Sequence, residues 1–348
     1  MDRCGCHNNQ TVTQPLHVFI EGPRWVGMWT EIIADTLVQS GHTVEYCHHN
    51  YKQPADRVAL LGSFLLPGVD RHIAWTQRYR QQLFNKLDRF YPDVLLSIQG
   101  KIDADTVKKL RRKSPQLKVI FWWGDILTDQ ALEKIKQAAE FSDRILVSYK
   151  GAYEKLKPLY TDQLVYFPFG VSERFHRPAL SSRDRERFTT DVSFVGTCYP
   201  ERCELIQYLN TQLDTPVQVR GRGWRHCRGI GSKGTLSLQD SLKAHACSKI
   251  SLNLHHGKTD NGFNMKFYEI PAAGGFQLCD WQAAMDETEL GRHTTSCRDM
   301  PEFAEKVRYY LAHEQARKQL SDLATQSVYA TASYPEKLTR LFSSLVEK

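Results

Sequence analysis

Residues 249–278 read KISLNLHHGKTDNGFNMKFYEIPAAGGFQL. The apolar, β-rich run 250–254 predicts a buried strand, 255–264 a polar loop containing glycine, and Met265 the start of a helix that stops at Gly274 and Gly275. Strand, glycine loop and helix N-terminus together make an anion-binding corner, because unpaired backbone N–H groups and the positive end of the helix dipole converge there. Glu269 stands about one turn inside that helix, where a carboxylate can hold sugar or ribose hydroxyls beside an anchored phosphate. The stretch therefore predicts an α/β fold that receives a nucleotide-linked ligand.

Upstream of it, strands are predicted at 192–195 and 217–220 with helices at 202–213 and 238–247; downstream come a strand at 276–279, a short one near 293–297 and three helical stretches within 300–346. The first half shows the same alternation. Strands at 16–22, 43–48, 93–97, 118–123, 144–148 and 164–169 are separated by helices at 29–39, 75–91, 103–113 and 129–141 and a short helix after 148. Such alternation predicts parallel, doubly wound sheets, one in each half. Between them, residues 173–190 are polar with little apolar periodicity, as expected of a linker. The expected organisation is an N-terminal Rossmann-like domain at 1–172, the linker at 173–190, a C-terminal Rossmann-like domain at 191–332 and a final helix at 333–348. Leu338, Leu341, Phe342 and Leu345 give that helix an apolar stripe, to be buried on the N-terminal domain or wholly on the C-terminal one.

Composition bounds the function. The chain has 348 residues, 41% hydrophobic and 24% charged, which suits a globular protein with two ordinary domains. No apolar run approaches the ~20 residues that span a bilayer, and the first fifteen residues lack the apolar core of a signal peptide, so a cytoplasmic location is expected. Nine cysteines without a Cys-x-x-Cys pair predict reduced thiols, and Cys4-Gly5-Cys6-His7 lacks a second ligand pair at zinc-site spacing. The net charge of +7 admits acidic partners, nucleoside diphosphates as well as nucleic acid.

Resemblance narrows this. Asn261-Gly262-Phe263-Asn264 followed by Glu269-Ile270-Pro271-Ala272-Ala273-Gly274-Gly275 resembles the E-G-F-G…E-A-x-A-x-G signature of retaining GT-B glycosyltransferases, with Asn261 in place of the first glutamate and Glu269 as the second. The run 264–276, NMKFYEIPAAGGF, and Gly221-Arg222-Gly223-Trp224 look like the CgeB-type, spore maturation protein-like glycosyltransferases over most of 190–345. The resemblance implies a GT-B fold, two Rossmann-like domains facing across a cleft, with a nucleotide sugar on the C-terminal domain and an acceptor on the N-terminal one. Catalytic candidates are then Asp125, Asn261 and Glu269.

The donor side gathers Gly196, Arg202, Arg222, Trp224, His255, Asn261, Gly262, Phe263, Asn264, Lys266 and Glu269. The resemblance places a cationic donor-phosphate residue near Arg202, which otherwise reads as a solvated first-turn arginine. Residues 220–233 carry five Lys or Arg and no acid, suiting a diphosphate, a nucleic-acid backbone or a plain exposed loop. Trp224 stacks on a base or fills the core. His255 and His256 end a strand, either to meet phosphate or sugar or as strand-end histidines, and Lys266 stands where related sequences have arginine. Asp125, after the strand 118–123, activates an acceptor hydroxyl or caps the next helix. Gly22, Arg24 and Trp25 occupy the cleft-edge loop after the first strand, on the acceptor side. Lys108, Lys109, Arg111, Arg112 and Lys113 form a basic helix face with no interleaved aromatic residue.

The expected reaction is metal-independent glycosyl transfer to an acceptor that is a small molecule, glycan, protein or nucleic acid, with no cofactor beyond the nucleotide-sugar substrate. No Asp-x-Asp pair or metal-ligand cluster stands in the cleft loops, so Arg202, Lys266 and backbone N–H groups are left to neutralise the leaving diphosphate. A sugar-nucleotide epimerase, turning over without acceptor, and a nucleic-acid-binding protein on a degenerate transferase fold are the alternatives.

Overall fold

A computed structural model describes residues 14–24, 28–49, 71–256 and 261–346. The first sheet contains β1 (His17–Gly22), β2 (Thr43–His48), β3 (Val94–Ile98), β4 (Lys118–Trp123), β5 (Arg144–Val147) and β6 (Leu164–Tyr166), in the order β2-β1-β3-β4-β5-β6. The second contains β7 (Thr190–Val195), β8 (Gln218–Arg220), β9 (Ser248–Asn253), β10 (Gln277–Asp280) and β11 (Thr295–Cys297), ordered β11-β10-β9-β7-β8. Every neighbouring pair is parallel. Helices cover both faces, so a central strand such as β3, VLLSI, is buried at all five positions.

Each sheet reverses its strand order once, at β1/β3 and at β7/β9. Ligands of open α/β sheets bind outside the carboxyl ends of the strands at such points. The two reversals bring Gly22 and, in the other sheet, Gly196 and His255 to the edges where a ligand is expected.

Helix surfaces follow the sequence. In the helix Ala104–Lys113, Asp103 accepts a hydrogen bond from the Thr106 amide, Val107 and Leu110 are buried, and the basic residues point outward. Arg111 pairs with Asp143 at 2.8 Å and Lys113 with Asp88, so part of this basic face is already neutralised.

Residues 173–190 are more ordered than their polarity suggests. They form the short helices Glu173–His176 and Ser182–Phe188, the second opened by a reciprocal Ser181–Asp184 cap. Phe188 is buried with Val195 and Ala244, and Lys243 pairs with Asp184 at 3.1 Å, which docks this helix on the helix Leu238–Cys247.

The helix Tyr334–Val346 lies on the N-terminal half. Leu338, Leu341, Phe342 and Leu345 share a core with Val18, Ile20, Ile33 and Leu37; burying such side chains is worth about 1.5–3 kcal/mol each. The chain reaches this helix through a second crossing between the halves, a parallel bridge between Val171 and Ser333. A Cβ on Gly170 would stand 2.5 Å from the Ala332 carbonyl oxygen, which is why glycine is needed there.

The expectation that all cysteines stay reduced is overturned: Cys203, in the helix Pro200–Gln212, and Cys227, after the turn Trp224–His226, form a disulfide. Twenty-four positions separate them, and they meet only when the turn after β8 folds back on the helix between β7 and β8. No helix among the described residues is long and apolar enough to cross a membrane.

Candidate functional site

Two cavities meet at Thr197 and Lys266. The first, about 440 Å³, opens at the strand reversal of the second sheet and is walled by Gly196, Arg222, His245, Lys266 and Glu269. The second, about 520 Å³, lies between the halves: Trp123, Asp125 and Tyr149 face Tyr199, Arg202, His256, Asn264 and Lys266.

Glu269 is the most informative wall. It lies in the helix Lys266–Ala272 at 8% exposure, and no hydrogen-bond donor among the described residues reaches its carboxylate. Burial raises its pKa above the ordinary carboxylate value, with Lys266 pulling the other way. The carboxylate opens on the first cavity, where water or a ligand hydroxyl can donate to it. Lys266 itself is half-buried, and its ammonium pKa is lowered by burial, with Glu269 favouring the charge and Arg202 opposing it.

Arg202 is not the solvated first-turn residue of the bland reading. It is 6% exposed, its Nη1 donates to the Thr197 carbonyl at 3.0 Å and its Nη2 to Leu254 at 2.6 Å. Its Nε is buried with no partner among the described residues. The braced guanidinium is a fixed positive charge on the wall of the second cavity, backed by Tyr199 at 4.8 Å.

Asn264 orders the loop before the helix. Its Oδ1 accepts from the Phe267 amide at 3.1 Å and its Nδ2 donates to Asn253 Oδ1 at 2.9 Å, which ties the helix start to the end of β9. Asp125 is exposed in the second cavity, and its Oδ1 accepts from the Ile126 amide. The following helix, Asp129–Ala139, is capped by Thr128 instead, so the capping role does not account for Asp125.

Other expected site residues stand elsewhere. Trp224 is 1% exposed in the C-terminal core, packed on Phe194 and donating its indole N–H to the Gly196 carbonyl at 2.8 Å, so it supports the cavity wall and offers no stacking face. His255 turns inward: its Nδ1 lies 2.8 Å from Asp280 Oδ1, which lowers the pKa of that carboxyl against the effect of burial. It is His256 that faces the cleft, edge-on to Tyr199 at 4.7 Å. Asn261 adopts φ 42°, a left-handed conformation that asparagine tolerates, and spends its Oδ1 on the Ala284 amide at 2.9 Å. It lines neither cavity, so the position of the first glutamate in the resemblance carries a structural side chain here. Phe263 is buried and stacked on Phe267 at 3.9 Å. Gly262 presses against Tyr149 of the N-terminal half.

Of the residues expected on the acceptor side, Gly22 ends β1 and its carbonyl accepts from the His49 amide at 3.2 Å. Arg24 lines a separate cavity of about 350 Å³ with Glu31, His48 and Lys86, and Trp25 lies outside the described residues.

Among the cavity residues not anticipated from sequence are His245 and Tyr149. His245 is 1% exposed, with Nδ1 3.1 Å from Ser251 Oγ and Nε2 buried and unpartnered among the described residues. Burial, reinforced by Lys266, pushes its pKa down to about 3, so the ring is neutral. In the sequence it was one histidine on an apolar helix face. Tyr149, 7% exposed, has its hydroxyl pKa raised by burial and then by Asp125.

Comparison with known proteins agrees with this fold. Residues 202–343 match the family described as glycosyl transferase-like. No curated protein matches the chain. A glycosyltransferase from Rickettsia africae ESF-5 superimposes with TM-score 0.65 at 11% identity, over 97% of this chain and 100% of its own. Anabaena HepE in complex with UDP-glucose gives 0.65 at 10% identity, over 96% and 100%. A putative UDP-N-acetylglucosamine 2-epimerase from Listeria monocytogenes gives 0.57 at 12%, over 95% and 96%. The shared architecture is the GT-B arrangement of two Rossmann-like domains.

Proposed function

We propose that this glycosyltransferase of the GT-B fold, with its glycosyl transferase-like region at residues 202–343, moves a sugar from a nucleoside-diphosphate donor to an acceptor hydroxyl without a metal ion. The observation that carries the proposal is the pair of joined cavities: Glu269 with its carboxylate on the wall of one, Asp125 in the other, and Lys266 between them. Glu269 accepts ribose or sugar hydroxyls of the donor. Arg202 and Lys266 offset the negative charge that grows on the leaving diphosphate, a role preorganised for Arg202 by its two carbonyl bonds. Asp125, on the opposite side of the cleft, takes the proton from the acceptor hydroxyl. The resemblance of residues 264–276 to CgeB-type transferases supports a donor site at this helix. HepE's complex with UDP-glucose makes UDP the first probe to try.

The test is calorimetric titration with UDP and a panel of nucleotide sugars, followed by acceptor screening. Micromolar binding of a nucleoside diphosphate, weakened by Glu269→Ala, is expected. Turnover of a nucleotide sugar with no acceptor present would favour the epimerase reading. Salt-dependent RNA or DNA binding with no nucleotide response would favour the nucleic-acid reading, for which the exposed Arg222, Arg225, Arg228 and Lys233 would be the footprint.

A further inference from the structure

Beside the donor cavity the structure holds a thiol cluster that the transfer reaction does not use. The sulfur atoms of Cys198, Cys203 and Cys227 all lie within 4.8 Å of one another, two of them joined and the third free. Cys198 belongs to the loop after β7. Its amide donates to the Arg222 carbonyl at 2.8 Å, and it directly follows Thr197, which lines both cavities. Cys227 follows the turn that carries Trp224, whose indole holds the Gly196 carbonyl. Cys198 is thus next to a residue that lines both cavities, Cys203 next to Arg202 of the second cavity, and Cys227 three residues past the tryptophan that holds the Gly196 carbonyl.

From this placement we infer that Cys198, Cys203 and Cys227 form a thiol–disulfide exchange site that reshapes the donor pocket. In the exchange the Cys198 thiol loses its proton to solvent and its sulfur attacks Sγ of Cys203, the less buried residue of the bonded pair. An S–S bond forms between Cys198 and Cys203 as the Cys203–Cys227 bond breaks, and the electron pair departs on Cys227 Sγ, which takes up a proton. Two sulfurs are oxidised before and after, so no external oxidant or reductant is consumed. The product ties the Thr197–Tyr199 loop to the first turn of the helix Pro200–Gln212 and frees the turn that positions Trp224. Burial holds the Cys198 thiol above its ordinary range, so exchange quickens as the pH rises.

The effect on ligand binding rests on the donor reading; the exchange itself does not. The protein is equilibrated in glutathione redox buffers, alkylated and mapped by mass spectrometry. Wild type should yield both 203–227 and 198–203 linkages, Cys198→Ser only the former, and Cys227→Ser only the latter. Failure of Cys227→Ser to form the 198–203 linkage, with its thermal melt unchanged, would overturn the exchange. So would one zinc per chain bound to the three thiols in protein purified under reductant. UDP is then titrated into oxidised and reduced Cys227→Ser. At least a fivefold weaker affinity of the oxidised form is expected, and equal affinities would overturn the coupling to the donor pocket. Absence of UDP binding to every form, wild type included, would strike the donor reading, while the linkage map still decides the exchange site.

Discussion

Gly262 and Tyr149 touch backbone to backbone across the cleft: a Cβ on Gly262 would stand 2.9 Å from the Tyr149 Cα and 2.8 Å from its ring. The two halves of the molecule are therefore in contact beside the start of the helix Lys266–Ala272, and only a glycine permits that approach. Gly262→Ala should hold the cleft slightly open. The expected result is a fall in kcat of about tenfold or more with UDP affinity changed less than about twofold, because closure completes the site after the donor has bound. A wild-type kcat in this variant would separate the contact from catalysis.

Glu269 carries a prediction with two signs. Glu269→Gln should weaken UDP or UDP-sugar binding more than tenfold, the loss of about 1.5–3 kcal/mol expected for a hydrogen bond to a charged group. The same variant should be more thermostable than wild type at pH 8. The Glu269 pKa is raised in the folded state, so its contribution to stability is full below the ordinary carboxylate pKa and is lost as pH rises through the folded value. Melting curves should therefore diverge at pH 8 and converge near pH 4. Equal melts at both, with unchanged affinity, would take Glu269 out of the site.

The charge reading separates binding from chemistry. Arg202→Ala and Lys266→Ala should each weaken UDP binding, whereas Asp125→Asn should lower kcat by about 10²-fold or more at nearly unchanged UDP affinity, as a lost general base does. Activity should persist in EDTA. Silencing by EDTA that magnesium or manganese reverses would refute metal independence.

Much of this architecture could be read from residue patterns because each half repeats strong local signals. The helix Trp29–Gln39 and strand β4 fall at the bounds that periodicity gives, since apolar faces and buried strands are encoded by neighbours in sequence. The helix Lys266–Ala272 and its Glu269 were legible for the same reason. What sequence could not supply was the direction of individual side chains. His255 and His256 are adjacent, yet Asp280, 25 positions away, draws the first inward and leaves the second to the cleft. Trp224 is fixed by a carbonyl 28 positions upstream and Asn261 by an amide 23 positions downstream, partners that only the tertiary fold identifies. His245 is marked as a site residue only by its place on a cavity wall and by an Nε2 that is buried and unpartnered among the described residues, neither of which is local in sequence.

The last prediction concerns closure. The halves are joined twice, through the chain after Gly170 and through the return at Ala332 to Tyr334, and the two crossings hydrogen-bond to each other: the Val171 amide donates to Ala332 at 2.9 Å and the Tyr334 amide to Val171 at 2.8 Å. Lys337 adds bonds to the Pro168 and Phe169 carbonyls. Two crossings hydrogen-bonded to each other cannot bend at one without loading the other, so movement of the C-terminal half should be felt at both. Domains joined by such crossings are expected to move relative to one another, and a cleft that takes donor and acceptor must open. Saturating UDP should therefore slow hydrogen exchange in residues 261–269 and also at the amides of Val171 and Tyr334. Gly262→Ala, which props the mouth open, should keep the protection at 261–269 and lose it at Val171 and Tyr334. Protection confined to the donor loop in wild type, with the two crossing amides indifferent to UDP, would defeat hinge closure and leave the donor site standing.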